Sequence, residues 1–283
     1  MTDLDTDLIA RRYEDAMGNE VRVPEATRDA LRRALGSSAG AAAPLKGQKA
    51  WMPDWLAGGG KAWGVAVQLY AVRSARNWGI GDFTDLAAIT AWARGLGADY
   101  VGLNPLHALF PASPAQRSPY YPSSRLFLNP LYIDPEAIPG LPPGTVARPP
   151  EAAALSGAAG PMDYHAIAAA KLAALEAGHA AFVEAGTDEA KTDLAAFTEA
   201  GGTPLRRHAT FDALHEHFAA RGVEGGFSAW PEAYRRPDTE DVARFASERA
   251  GRIGYFCFLQ WVAATQLKAA ARASGPDGGE TTL

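Results

Sequence analysis

The segment Ser118-Pro119-Tyr120-Tyr121-Pro122-Ser123 brings together two phenol rings, flanking hydroxyls and two rigid prolines. A sugar ring offers an apolar C–H face and polar edges, so an aromatic platform bordered by hydroxyls suits carbohydrate. Tyr120 is the ring expected to make that contact; the alternative is a structural loop with Tyr121 and Phe127 packed inward. Gln68, Asn104 and His107 add side chains able to position sugar hydroxyls, although a histidine in such a place equally suits a supporting role behind them. The acidic residues nearby read differently. Asp82 and Asp85 stand at a helix start, where carboxylates cap free N–H groups. Asp99 precedes a strand, and Asp134 and Glu136 close a loop, so no catalytic pair is expected here. His165, His179, His208, His215 and His217 fall in helical stretches. His215 and His217 are two residues apart and point to different faces, whereas helical metal ligands sit three or four apart, so no metal site is expected.

The elements that must position these groups form a strand, helix and strand. Val65, Ala66, Val67 and Leu69 make a short apolar run of the kind a strand buried on both faces shows. From Asp82 onward, Leu86, Ile89, Trp92, Ala93 and Leu96 recur at helical spacing, and Gly97 closes the pattern. A second apolar strand, Tyr100 to Leu103, follows. That order implies a parallel crossover, and in parallel α/β folds ligands gather at the C-terminal ends of the strands. Those ends are Gln68-Leu69-Tyr70 and Asn104-Pro105-Leu106-His107.

Three segments, LYAVRSARNWGIGDFTDL from Leu69, GLNPLHALFP from Gly102 and SPYYPSSRLFLNPLYID from Ser118, resemble in sequence and order the opening of an amylomaltase-type 4-alpha-glucanotransferase. VPEATRDALRRALG from Val23 and FCFLQWVAATQL from Phe256 extend the likeness over nearly the whole chain. The resemblance implies a (β/α)8 TIM-type barrel that transfers α-1,4-glucan segments to glucose or another glucan by a retaining mechanism, with maltooligosaccharides as partners. By the same resemblance, Ser118 and Tyr120 match the family's serine and tyrosine around the cleaved bond. The family's nucleophilic aspartate, acid/base glutamate and stabilising aspartate come from later strands and have no matching position here. The residues after 62 also fall short of the ~250 that a barrel takes. The fold expected is therefore an incomplete barrel, its first strands joined to a large helical insertion and a small N-terminal helical segment. The chain is expected to be C-terminally truncated, to lack catalytic residues of its own and to be inactive alone, with a polypeptide carrying the missing strands as a partner. A non-catalytic α-glucan-binding fragment is the alternative.

Organisation follows composition. Residues 1–36 read as a helical segment with helices at Leu4 to Met17 and Pro24 to Leu35, the second carrying a stripe of Ala26, Leu31 and Leu35. Residues 37–62 read as a linker containing a Trp51 and Trp55 patch, 63–138 as the start of the barrel with its glucan-binding loop, 139–254 as a mainly helical insert, and 255–283 as a barrel helix and tail. Within the insert, Asp163 caps one helix, and others are expected around Ala180 to Phe182, Asp188 to Phe197 and Pro204 to Phe218. Gln260, Trp261 and Gln266 are expected to be buried in the core. With 47% hydrophobic and 21% charged residues the chain can bury a sizeable core. A net charge of −5 gives no basic excess for a phosphate backbone, so no nucleic-acid partner is expected. No run approaches the ~18 apolar residues of a membrane span, and the acidic N-terminus is unlike a secretory signal. Cytoplasmic residence without membrane contact is the expectation. Cys257, the one cysteine, lies between two phenylalanines and reads as core. Gly79-Ile80-Gly81 lacks the third glycine of a dinucleotide loop, so no cofactor is expected.

Overall fold

A computed structural model describes residues 9–35, 57–157, 160–223 and 225–273. The Trp51 and Trp55 patch, most of the expected linker and the tail from Gly275 lie outside the described residues. Two compact units are present, Met1–Gly60 and Lys61–Leu283. In the first, strands β1 (Arg12–Glu14) and β2 (Glu20–Arg22) pair antiparallel with Tyr13 opposite Val21, and helix α1 (Glu25–Leu35) follows. Over its described part, the helix expected from Leu4 to Met17 is thus a hairpin. Its turn supplies the reason: Asp15 Oδ1 accepts the Met17 and Asn19 N–H groups, each at 2.9 Å. A carboxylate that satisfies the backbone two and four residues ahead favours a turn over a continuing helix. In α1 the expected stripe residues Ala26 and Leu31 are exposed.

The second unit is mostly helical with few strands. Strand β3 (Gly64–Val67), helix α2 (Phe83–Gly95) and strand β4 (Tyr100–Leu103) follow in order, and the strands pair in parallel with Val65 opposite Val101 and Val67 opposite Leu103. Asp82 caps α2 through the Thr84 and Asp85 N–H groups, while the Asp85 side chain accepts the Asp82 N–H, a reciprocal capping box. Two expectations change. Strand β3 is buried on one face only: Val65 and Val67 pack on the core, but Ala66 and Gln68 are exposed. In α2 the buried row is Phe83, Leu86, Thr90 and Ala93, whereas Trp92 and Leu96 are each 59% exposed. At 3.6 residues per turn the last two lie roughly a third of a turn from that row.

The stretch expected to be a loop contains a short antiparallel pair, β5 (His107–Ala108) with β6 (Ser124–Leu128). Among the described residues five α-helices follow: α3 (Pro150–Gly157), α4 (Tyr164–Ala185), α5 (Asp188–Ala219), α6 (Glu240–Glu248) and α7 (Ala250–Arg272). Asp163 caps α4 by accepting the Ala166 N–H at 3.0 Å. Two expected helices, Asp188 to Phe197 and Pro204 to Phe218, are the halves of α5, separated by a kink at Gly202 (φ 51°, ψ −140°). That conformation favours glycine, and Pro204 fits the first turn of the helix that restarts after it. Contrary to the expectation that no stretch is apolar enough to span a membrane, α4 is long and apolar enough to cross a bilayer by length and composition. Much of that apolarity is alanine, and 33% of its most apolar stretch is buried inside the protein.

Helix α7 is the centre of the packing. Its residues from Tyr255 to Ala263 are all buried, and it lies chiefly against α5 and α2. Phe182, Phe258 and Trp261 form an aromatic cluster with centroids 5.2 to 5.8 Å apart. The Trp261 indole donates to Asp193 Oδ2 at 2.9 Å, and Arg252 joins Glu216 of α5 (2.6 Å) to Glu176 of α4 (2.7 Å). Cys257 is buried, and burial pushes its thiol up to about 11.

On the second half of α5, His208 stacks on Phe127 at 4.3 Å and lies 3.4 Å from Asp212. Burial pushes the imidazole down to about 4 and holds the Asp212 carboxyl well above its ordinary range, so both groups favour their neutral forms. A histidine whose folded pKa is depressed contributes stability that is present above its unfolded value and lost as pH falls toward the folded one. From an ordinary 6.5 to about 4, that loss is roughly 3 kcal/mol. His208→Phe keeps the stacked ring and removes the titration. Urea unfolding between pH 7 and pH 4 is expected to show the wild-type chain losing stability relative to this variant as pH falls, and parallel curves would refute the assignment.

Candidate functional site

The loop between β3 and α2 is held by charge. Arg76 bonds Asp82, approaches Asp85 at 3.3 Å and donates to Asp134 at 2.8 Å. Burial alone would lower the guanidinium, yet Asp82, Asp134 and Asp85 together raise it. For Asp82 burial prevails and lifts the carboxyl, with Lys171 pulling the other way. Lys171, fully buried on α4, donates to the Leu131 carbonyl at 2.7 Å; burial lowers its ammonium, opposed by Asp82 and Asp134. Trp78 is fully buried and donates to Glu136 at 2.9 Å. Gly81 passes so close to the turn after β3 that a Cβ there would stand 2.2 Å from the Leu69 carbonyl oxygen. The carboxylates at the helix start therefore act as caps and ion-pair partners. Asp99, as expected, is at the other end of the strands, accepting the Trp63 N–H at 2.9 Å.

At the C-terminal ends of β3 and β4 a cleft of about 740 Å³ is lined by Gln68, Ala71, Val72, Gly102, Asn104 and Tyr120, among others. Gln68 is exposed, and Tyr120 is 70% exposed. Asn104 is buried and engaged: its Oδ1 accepts the Leu69 N–H at 2.7 Å, and its Nδ2 donates to the Pro105 carbonyl at 2.9 Å and to the Tyr132 hydroxyl at 3.1 Å. Its amide thus fixes the end of β3 to that of β4, leaving one carbonyl lone pair. Burial pushes the Tyr132 hydroxyl upward, so it stays protonated. His107 is half-buried in β5 opposite Leu128, and Ser118 is exposed at the turn where its carbonyl accepts the Tyr121 N–H at 3.1 Å; neither lines the cleft. Tyr121 is 75% exposed rather than packed inward, whereas Phe127 is packed, against His208.

Two glutamines on α7 hold the segment that carries these groups. Gln260 accepts the Leu128 N–H at 2.9 Å and donates to the Leu128 carbonyl at 2.8 Å, pairing with β6 as another strand would. Gln266 does the same at Asp134, at 2.8 and 2.9 Å, and reaches the Ala137 carbonyl at 3.0 Å. Both are buried, as their apolar surroundings predicted, but their role was not foreseen. The available signal was chemical: a buried amide must find partners, and nothing within an apolar helix face supplies them. Lys171, alone between Ile167 and Leu175 on a buried face, carried the same signal.

Comparison with known proteins places the chain in a family. The profile of the 4-alpha-glucanotransferase family matches residues 67–278. The chain is 40% identical over 235 residues to the 4-alpha-glucanotransferase of Mycobacterium tuberculosis (strain ATCC 25618 / H37Rv), covering 77% of this chain and 31% of that protein. It is 37% identical over 227 residues to the 4-alpha-glucanotransferase of Haemophilus influenzae, covering 74% of this chain and 32% of that protein. The chain thus spans about a third of the length of these relatives. Among solved structures it resembles amylomaltase from Corynebacterium glutamicum, with 27% identity and a TM-score of 0.57 over 75% of this chain and 28% of that one. It shares the fold of Streptococcus agalactiae amylomaltase, solved with acarbose, at 20% identity and a TM-score of 0.61 over 75% of this chain and 41% of that one.

Replacing Gln260 by Leu leaves both Leu128 backbone groups without their partner, and an unsatisfied buried group costs about 1–3 kcal/mol. The Gln260→Leu chain is expected to lose about 2–4 kcal/mol in urea unfolding, with faster amide exchange at Leu128. Unchanged exchange there would show that β6 does not depend on α7.

Proposed function

The chain belongs to the 4-alpha-glucanotransferase family, and from that premise we propose that it supplies the opening strands and sugar-contacting rim of a (β/α)8 barrel acting on α-1,4-glucans. The cleft at the C-terminal ends of β3 and β4 carries this reading, because barrel enzymes bind their substrates at that face. On this proposal Tyr120 lays its ring against the apolar face of a glucose unit and Gln68 hydrogen-bonds a hydroxyl. Asn104 keeps the strand ends at fixed spacing, while Ser118 and His107 contribute at the margin. The donors are α-1,4-glucans, and the acceptors are glucose or maltooligosaccharides.

Retaining transfer uses two carboxyl groups about 5–5.5 Å apart, one attacking the anomeric carbon and one protonating the leaving oxygen. Among the described residues no Asp or Glu lines the cleft, and Asp82, Asp85 and Asp134 are engaged by Arg76. The proposal therefore assigns both reacting groups to polypeptide outside these 283 residues. The partner is a polypeptide carrying further strands, and the open edges of the two-stranded β3–β4 sheet are where such strands would add.

Purified chain incubated with maltotriose is expected to give no disproportionation products on chromatography. Transfer at the rate of a full-length relative, abolished by substitutions within this chain, would overturn the assignment of the carboxylates. Loss of a stacking ring costs about 0.5–1.5 kcal/mol, so Tyr120→Ala should weaken maltotriose binding about two- to tenfold. Because Tyr120 is exposed, the unfolding midpoint should stay where it is. Unchanged affinity would remove Tyr120 from the site.

A further inference from the structure

A second cavity, of about 560 Å³, lies between α5, β6, α6 and the turn at residues 225–237. Ligand pockets commonly have such volumes and an apolar lining with a few placed polar groups. Aromatic rings dominate this wall. Phe127, Phe211 and Trp230 line it, with Phe211 5.5 Å from Trp230, and Phe227 contributes a ring that is 56% exposed. Trp230 is buried, and its indole N–H has no hydrogen-bond partner.

Among the described residues the charge on the wall is of one sign: Arg206, Arg207 and Arg235 line the cavity, and no Asp, Glu, Asn or Gln does. Arg206 and Arg207 are exposed and make no side-chain hydrogen bond or ion pair among the described residues. Arg235 gives its Nε–H to the Trp230 carbonyl at 2.6 Å. Asp238, whose carboxyl also feels Arg207, is bridged by Arg236 at 3.0 Å. His208, also on the wall, favours its neutral form. A neutral sugar needs acceptors for its hydroxyl protons, and here only hydroxyls, main chain and the single acceptor nitrogen of neutral His208 provide them. A carboxylate or phosphate needs donors, which arginine supplies in a planar fork.

We propose that this cavity is a second ligand site, for a small aromatic anion whose ring stacks among Phe127, Phe211 and Trp230 while its carboxylate or phosphate meets Arg206 and Arg207. The site is independent of the glucan cleft. It adjoins the Tyr120 loop, however: Ser123, immediately before β6, lines the cavity, and its hydroxyl donates to the Leu109 carbonyl at 2.6 Å with the Ala108 carbonyl at 3.0 Å.

The probe is 2-naphthoate, titrated calorimetrically into the full chain, with neutral 2-naphthamide and maltotriose as controls. Saturable binding of one naphthoate per chain is expected, with the amide weaker by about tenfold, since the charge-assisted bonds to Arg206 and Arg207 are lost. The Arg206→Gln/Arg207→Gln double variant should weaken naphthoate by a similar factor with an unchanged melting midpoint. Phe227→Ala, at an exposed position, should weaken acid and amide alike. Equal affinity for acid and amide, indifference to the arginine variant, non-saturable binding, or displacement by maltotriose would each overturn the proposal. None of these outcomes bears on Tyr120 or on glucan transfer.

Discussion

One guanidinium sets the path of the main chain. Arg76 gathers Asp82 and Asp85 from the start of α2 and Asp134 from a turn 58 residues away in sequence from Arg76, while Thr84 bonds the same Asp134 carboxylate at 2.6 Å. Lys171 enters from α4 and Gln266 from α7, both bonding backbone in the segment 131–134. A loop, a helix start, a turn and two long helices thus meet around one set of buried charges. Desolvation makes such a cluster a poor source of net stability compared with apolar packing, but any arrangement that separated these groups would strand a charge away from water. The cluster is best understood as fixing one chain path among several compact ones.

The cleft inherits that path. The loop docks by way of Gly81 against the turn after β3, and Asn104 locks that turn to the end of β4 through its amide. Tyr120 lines the cleft from the loop before β6, and β6 is held by Gln260. The surfaces facing solvent in the cleft are therefore few, Gln68 and Tyr120 chief among them, and the polar groups behind them are already bonded to one another.

Much of this was legible in the sequence. The β3, α2 and β4 pattern, the caps at Asp82 and Asp163 and the resemblance in the Leu69 to Asp134 region all describe local chemistry, which single residues report directly. The hairpin at Arg12 to Arg22 was missed because its helix-like spacing of apolar residues outweighed a turn set by one aspartate. The exposure of Ala66, Trp92 and Leu96 was missed because apolar periodicity says which residues share a face, not which faces find a neighbour. Asn104, expected among the groups that position sugar hydroxyls, lines the cleft, and its amide is engaged with the main chain and with Tyr132. From sequence alone, an asparagine at a strand end fits either role, since both ask for the same donors and acceptor.

Helix α7 binds the rim segment almost without regard to side-chain identity on that segment. Gln260 and Gln266 address the N–H and C=O groups of Leu128 and Asp134, and every residue except proline offers the same pair of groups. Two amides, six positions apart on one helix, thus act as a ruler laid along the backbone. Segments of different composition could be docked at the same height and angle, provided that they kept the spacing between the two contact points. The rim is in this sense a replaceable part, and the helix beneath it is the fixture.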